Sequence, residues 1–166
     1  MWYVILLAVC IGGDQLLKWW VTSHLDVGQS APLLPGIVRL TRLHNTGAAW
    51  SSFSGKTGLL AIVTIVLMLA VAWLLVKKIV RHPLGQWSLA IILGGGIGNL
   101  IDRVRLGYVV DMLDTMFMDF PVFNVADVFV VCGTVCALIY YLAFYSKSDE
   151  KNWGNKVDGT DPAANK

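Results

Sequence analysis

The sequence predicts an all-α integral membrane protein, a four-transmembrane-helix bundle with a small extracytoplasmic β platform. Of its 166 residues, 56% are hydrophobic and only 14% are charged, whereas about 25% of the residues in an average soluble domain are charged. Four separate stretches approach the roughly 20 apolar residues that a helix needs to cross a bilayer. The net charge of +2 does not favour a nucleic-acid partner. Three cysteines without metal-site spacing predict neither a disulfide framework nor a zinc site.

The first predicted span covers residues 1–20 and is interrupted by Asp14 and Lys18. This stretch lacks a basic n-region and a small-x-small cleavage site, so we interpret it as a retained helix rather than a cleaved signal peptide. Asp14 and Lys18 stand at i and i+4, where they can pair along one helix face. Alternatively, Lys18 extends to the lipid headgroups, or both residues belong to a polar site.

The other three predicted spans are residues 58–76, 84–101 and 128–145, and each is free of charged residues. The third span contains the run from Gly94 to Gly98, and its Gly-x-x-x-G spacing favours close helix packing over ligand binding. An even number of spans places both termini on one side of the membrane. The Lys and Arg residues of the short 2–3 loop and of the C-terminal tail predict that this side is cytoplasmic.

Two segments outside the spans carry their own patterns. In the long connection after the first span, the run from Ile37 to Leu43 alternates apolar and polar residues, which predicts a short strand in a small sheet on the outer surface. The polar stretch 146–166 is rich in Lys, Asp, Asn and Gly, which predicts a disordered cytoplasmic tail. Residues 1–145 are then expected to form a single integral-membrane domain.

The polar residues that are unusual in a membrane protein gather at one end of the predicted bundle. With this topology, the charged end of the first span, the polar C-terminal end of the third span and the start of the fourth span all lie on the outer side. A pairing of Arg103 with its neighbour Asp102 at the interface would be worth little. The convergence of these groups predicts a site near the outer face of the membrane. The residues are Asp14, Lys18, Asn45, Asn99, Asp102, Arg103, Asp111, Asn124 and Asp127.

Asp111 and Asp127 are both embedded in apolar sequence at the predicted edge of the membrane, and neither has an adjacent basic residue. Asp127 could simply cap the fourth helix. If the two carboxylates lie close together, however, both cannot ionise easily, and one pKa is raised. The pair then holds one proton, so that one member can take a proton from water while the other donates to a carbonyl oxygen. That is the chemistry of an aspartic protease dyad.

Other functions fit the residues less well. The three histidines do not form an HExxH motif, and no G-x-S-x-G is present, so neither a metallopeptidase nor a serine hydrolase is indicated. A proton-conducting transporter needs ionisable groups through the depth of the membrane. The apolar runs of the last three spans contain none, which favours a site at one face over a transport pathway or a passive scaffold.

The motifs resemble those of the bacterial lipoprotein signal peptidases, the signal peptidase II family. The resemblance runs from about Asp14 to Tyr145, and it rests on five blocks in the order of the family. The blocks are Asp14 to Lys18, Asn45 to Ser51, Gly94 to Arg103, Gly107 to Asp111, and Phe123 to Asp127.

The resemblance implies a peptidase that removes the signal peptide from diacylglyceryl-modified prolipoproteins and cuts on the N-terminal side of the lipidated cysteine. The family's catalytic aspartates match Asp111 and Asp127. No metal or cofactor is expected. The expected partners are the lipid-modified substrates and membrane lipid, and we expect a monomer in the bacterial cytoplasmic (inner) membrane. Residues matching the family's supporting or substrate-binding positions are Asp14, Lys18, Asn45, Gly47, Asn99, Arg103, Asn124 and Ala126.

Overall fold

The computed structural model describes residues 2–47 and 55–145, which form four helices and a three-stranded sheet. All four helices are long and apolar enough to cross a membrane. The predicted fold class is therefore confirmed. The elements in chain order are α1 (Trp2–His24), β1 (Ser30–Leu34), β2 (Val38–Asn45), α2 (Thr57–Val76), α3 (Pro83–Leu106), β3 (Val109–Thr115) and α4 (Val125–Ala143).

The helices extend beyond the apolar runs that predict them, because polar residues continue them at the end that holds the site. Helix α1 runs to His24 and α3 continues to Leu106. Helix α3 stops at Gly107, whose φ of 79° is the left-handed conformation typical of a helix C-terminus. Helix α4 begins at Val125, before the apolar run. Several charged residues expected just outside the spans thus lie within regular helix.

Helix α3 is the central helix of the bundle, and its glycines are the contact points. A Cβ added at Gly94 would meet Cys10 of α1, and one at Gly95 would meet the carbonyl oxygen of Ala126. A Cβ at Gly96 would meet the thioether of Met68 in α2. The predicted packing role of this run is therefore confirmed.

The sheet is antiparallel, with β2 between β1 and β3. The predicted strand exists but extends to Asn45, which pairs with Val109 at the end of the sheet nearest α3. At the other end Val38 pairs with Thr115. This register puts Asp111 in β3, within a strand rather than in an irregular connection.

The sheet is fixed to the end of α1. The Arg42 guanidinium donates hydrogen bonds to the carbonyl oxygens of Thr22 and Leu25, at 3.1 and 2.9 Å. Because the last carbonyls of a helix lack partners within the helix, this arginine both caps α1 and holds β2 against it. Met112 of β3 packs on Val21 of the same helix.

The glycine contacts yield a stability prediction. Gly95→Ala should lower the melting temperature in detergent, because the added methyl group would meet the Ala126 carbonyl oxygen and Val130. Overpacking of this kind costs about 1–3 kcal/mol. The matched control is Gly12→Ala in α1, where nothing lies within 4 Å of the added atom. Equal melting temperatures for the two variants would contradict this account of the bundle.

Candidate active site

A buried ion cluster with Lys18 at its centre lies next to the two predicted catalytic aspartates. The Lys18 ammonium is 2.9 Å from the Oδ2 atoms of both Asp14 and Asp102. It also donates a hydrogen bond of 2.9 Å to Oδ1 of Asn99. These three contacts match the three donors of an ammonium group. The predicted Asp14–Lys18 pair is confirmed, whereas the alternatives in which Lys18 reaches the headgroups or Asp102 pairs with Arg103 are wrong.

Asp14 connects this cluster to the start of α4. Its Oδ1 accepts a hydrogen bond of 3.0 Å from the backbone N–H of Ala126. Both residues are fully buried, at 0% exposure. Because Ala126 immediately precedes Asp127, the α1 carboxylate fixes the backbone from which the second predicted catalytic aspartate projects.

Asp102 makes the equivalent connection to β3. Its Oδ2 accepts a hydrogen bond of 3.0 Å from the backbone N–H of Val110, the residue before Asp111. The Gln15 amide donates to Oδ1 of Asp102 at 3.0 Å and so holds this carboxylate from the other side. The backbone next to each of the two aspartates is therefore bonded to a carboxylate of one buried cluster.

Asp111 is held by two amide side chains. Its Oδ1 accepts a hydrogen bond of 2.7 Å from Asn124, and its Oδ2 accepts one of 2.8 Å from Asn45. Its side chain is almost completely buried. Burial raises the pKa of Asp111 to about 6, and the negative charge of Asp127 adds to this rise. The two amide hydrogen bonds and the charge of Lys18 act in the opposite direction.

Asp127 sits in the first turn of α4. Its Oδ1 accepts a hydrogen bond of 2.8 Å from Asn99, and its Oδ2 accepts one of 3.1 Å from the backbone N–H of Asn124. Asn124 in turn accepts from the backbone N–H of Asp127, at 3.0 Å, which completes a capping box. The helix cap considered for Asp127 is therefore provided by Asn124. A negative charge at Asp127 lies at the end of α4 where the helix dipole favours it.

The two aspartates line one cavity of about 1190 Å³. At the polar end of the cavity, Asn99 and Arg103 also line the wall. Away from this end the wall is formed mainly by apolar side chains of α2 and α4. Such a cavity combines an apolar compartment with a few placed polar groups, as ligand sites usually do. Its apolar wall includes Leu67, Met68, Val128, Val130 and Val131.

Gly47 connects two of the remaining predicted site residues. Its backbone N–H donates to Oδ1 of Asn45 at 2.8 Å, which leaves the Asn45 amide nitrogen to donate to Asp111. Its carbonyl oxygen accepts a longer hydrogen bond of 3.4 Å from Arg103. The end of the sequence block that begins at Asn45, residues 48–51, lies outside the described residues.

All ten predicted site residues thus belong to one connected region. Asp102, which the sequence places with the polar residues at the outer face, joins it, as do Gln15 and His44. Asp102 and Gln15 contribute the contacts described above, and the signal for Gln15 is a polar side chain inside an apolar span. His44 lines the cavity and stacks on Tyr108, with ring centroids 3.8 Å apart. Within residues 2–47 and 55–145, no group of three His, Cys, Asp or Glu residues is placed to hold a metal ion.

Comparison with known proteins identifies the family. A family model described as signal peptidase (SPase) II matches residues 6–143 of the chain. The chain belongs to the signal peptidase II family. As a member of this family, the protein is a peptidase with several membrane spans, and the predicted resemblance is confirmed.

Individual relatives agree with this assignment. A lipoprotein signal peptidase of Enterococcus faecalis is 40% identical over 158 residues, which cover 95% of each chain. One from Streptococcus pyogenes serotype M1 is 41% identical and covers 82% of this chain and 90% of its own. A solved structure described as a bacterial membrane enzyme superposes with a TM-score of 0.79 at 30% identity, covering 87% of this chain and 91% of the other.

The ion cluster yields a second stability prediction. Lys18→Met should lower the free energy of unfolding by about 3–5 kcal/mol, because it leaves two buried carboxylates without their cation. Reversible unfolding in mixed SDS micelles measures this loss. The control, Arg39→Met, removes the cation of the more exposed Arg39–Asp114 pair and should cost less than about 1 kcal/mol. Equal losses would show that the cluster does not stabilise the bundle.

Proposed function

We propose that this signal peptidase II family member is an aspartic endopeptidase that removes the signal peptide from lipid-modified prolipoproteins. It cuts on the N-terminal side of the lipidated cysteine, with Asp111 and Asp127 as the catalytic dyad and without a metal or cofactor. The observation that carries this proposal is the position of Asn124. This residue bonds to Asp111 through its side chain and to Asp127 through its backbone, and both carboxylates line the same cavity.

The dyad supplies both proton transfers of peptide hydrolysis. The ionised carboxylate takes a proton from water, and the oxygen of that water attacks the scissile carbonyl carbon. The protonated carboxyl donates its proton to the carbonyl oxygen, which gives a tetrahedral diol. In the second step the carboxyl that gained the proton of water gives it to the leaving nitrogen, and the other, now ionised, takes a proton from a diol hydroxyl. The C–N bond breaks, a carboxylic acid and an amine are released, and the dyad returns to its starting protonation. A pKa of about 6 at Asp111 suits a group that exchanges protons near neutral pH.

The apolar compartment fits the substrate class. A signal peptide and an acyl chain are both apolar, and each buried CH₂ of an acyl chain contributes about 0.8 kcal/mol. The side chains of α2 and α4 in the cavity wall are available to receive them. Arg103, at the polar end, is placed to bind a carbonyl or ester oxygen of the substrate. The substrate segment must be extended at the cut, because a helix engages its own carbonyls in hydrogen bonds.

The membrane arrangement follows from the same topology. Both termini lie in the cytoplasm, and the site lies near the outer face of the bacterial cytoplasmic membrane, where the lipidated cysteine of a prolipoprotein meets the lipid. Residues 1–145 form one membrane domain that works as a monomer. A transporter is less well supported, since the acids of the described helices, Asp14, Asp102 and Asp127, all lie at one end of the bundle.

The dyad is tested by replacing each carboxylate with its amide. Asp111→Asn and Asp127→Asn should each abolish cleavage of a purified lipidated prolipoprotein, because neither variant can both accept and donate the required protons. The control is Asp26→Asn, a substitution of an exposed acid in the turn after α1, which should cleave at the normal rate. Normal turnover by either dyad variant, with its melting temperature unchanged, would refute the dyad.

The pH dependence tests the role of Asp111 separately. If Asp111 is the protonated member, kcat/KM falls as pH rises through its pKa. Asn45→Ala removes a hydrogen bond that favours the ionised form, so the pKa of Asp111 should rise and the high-pH limb should move upward by about half a pH unit. Thr41→Val in the same strand is the control and should leave the profile unchanged. Movement of the low-pH limb instead would make Asp111 the base.

A further inference from the structure

The free end of the sheet carries a group of exposed apolar side chains that we call the tip patch. They lie outside the four membrane-spanning helices, on two neighbouring chain segments. Each of them is 49–65% exposed, so they are exposed to the surroundings as fully as the lipid-facing side chains of the helices. The tip patch consists of Leu33, Leu34, Ile37, Met116, Phe117 and Met118.

The backbone of the tip patch is fixed by hydrogen bonds. The N–H of Ile37 donates to the carbonyl oxygen of Leu34 at 3.0 Å and closes the turn between β1 and β2. The N–H of Met116 donates to the carbonyl oxygen of Ile37 at 2.9 Å and ties the segment after β3 to this turn. The apolar side chains are therefore presented by a bonded scaffold, not by a loose connection.

The contacts of β2 place the tip patch near the membrane interface. The strand is bonded through Arg42 to the last carbonyls of α1, and the exposed Trp19 and Trp20 lie about one helical turn before the end of that helix. Tryptophan is enriched at the membrane–water interface. From Arg42 to Val38 the strand advances by about 13 Å, so the tip patch lies about that far from the point where the sheet is bonded to α1.

We propose that the tip patch inserts into the lipid leaflet next to the site and acts as a second membrane anchor. The nearest charged side chains on the strands, Arg39 and Asp114, are paired with each other at 2.7 Å. The exposed Asp119 directly follows Met118, and it stays in the headgroup region when the side chains before it insert. Lipid fits this surface better than a second protein copy because the sheet that carries it is bonded to the end of the membrane-spanning α1, beside two exposed tryptophans.

The anchor has a consequence for catalysis that rests on the proposed function. The helices alone hold the protein in the membrane but allow it to tilt, since tilt is set by packing and by interfacial anchors. A second contact at the end of the sheet opposes this tilt. It thereby fixes the depth at which β3 presents Asp111 to a lipidated substrate in the same leaflet.

The location of the tip patch is tested by a depth measurement that does not depend on activity. Phe117→Cys is made in a background with Cys10, Cys132 and Cys136 replaced by Ala, labelled with a fluorophore and reconstituted into phosphatidylglycerol vesicles. Quenching by bromine on the lipid acyl chains should match that of Leu16→Cys, at an exposed position of the membrane-spanning α1. It should be at least about twofold stronger than that of Asp26→Cys in the polar turn. Quenching no stronger than at Asp26, or crosslinking between Phe117→Cys copies in place of quenching, would overturn the proposal.

A second variant keeps all the cysteines and tests the anchor through catalysis. Phe117→Asp should lower cleavage of a lipidated prolipoprotein about tenfold in vesicles, because a charge resists burial in lipid, and should leave cleavage in detergent micelles unchanged. Asp26→Lys, a charge change outside the tip patch, should cleave normally in both. An equal loss in micelles and vesicles, or no loss in vesicles, would overturn the anchor. If the unaltered protein cleaves in neither medium, the proposed function fails, while the depth measurement still decides the anchor.

Discussion

One ammonium ion organises the polar half of this protein. Lys18 contacts a carboxylate of its own helix, a carboxylate of α3 and the Asn99 amide. Through these groups it is linked to the backbone on the N-terminal side of both predicted catalytic aspartates. A buried charge is costly without partners, so the three helices and β3 have to assemble around it in one arrangement. The contacts of Lys18 therefore both hold the helices together and position the two aspartates of the site.

The packing of the helices complements this constraint. Glycines on different sides of α3 allow α1, α2 and α4 to approach its backbone. Close approach is required because the hydrogen bonds from Ala126 to Asp14 and from Asn99 to Asp127 are formed between helices. Larger side chains at these positions would separate the helices and lengthen those bonds. The small residues therefore matter for the polar network as much as for van der Waals contact.

Apolar length and charge position in the sequence were sufficient to predict the four spans, the gathering of the polar groups at one end of the bundle and the pair formed by Asp14 and Lys18. They could not predict that Asp102 binds Lys18 instead of Arg103, because that choice depends on how α1 and α3 pack. Nor could they show that Asp111 lies in a strand, since its pairing partner Leu43 is distant in sequence. Helix ends were underestimated where charged residues continue a helix and find their partners only in the folded protein.

Asn124 uses its backbone N–H, its amide oxygen and its amide nitrogen for three different tasks. Serine and threonine are common replacements at the start of a helix, and either would restore the bond to the Asp127 N–H. Neither has an amide group that could also donate to Asp111 across the gap to β3. Aspartate would add a third carboxylate beside the other two. The range of residues tolerated here is therefore far narrower than helix capping alone requires, and sequence change at this position is restricted by the chemistry of a neighbouring strand.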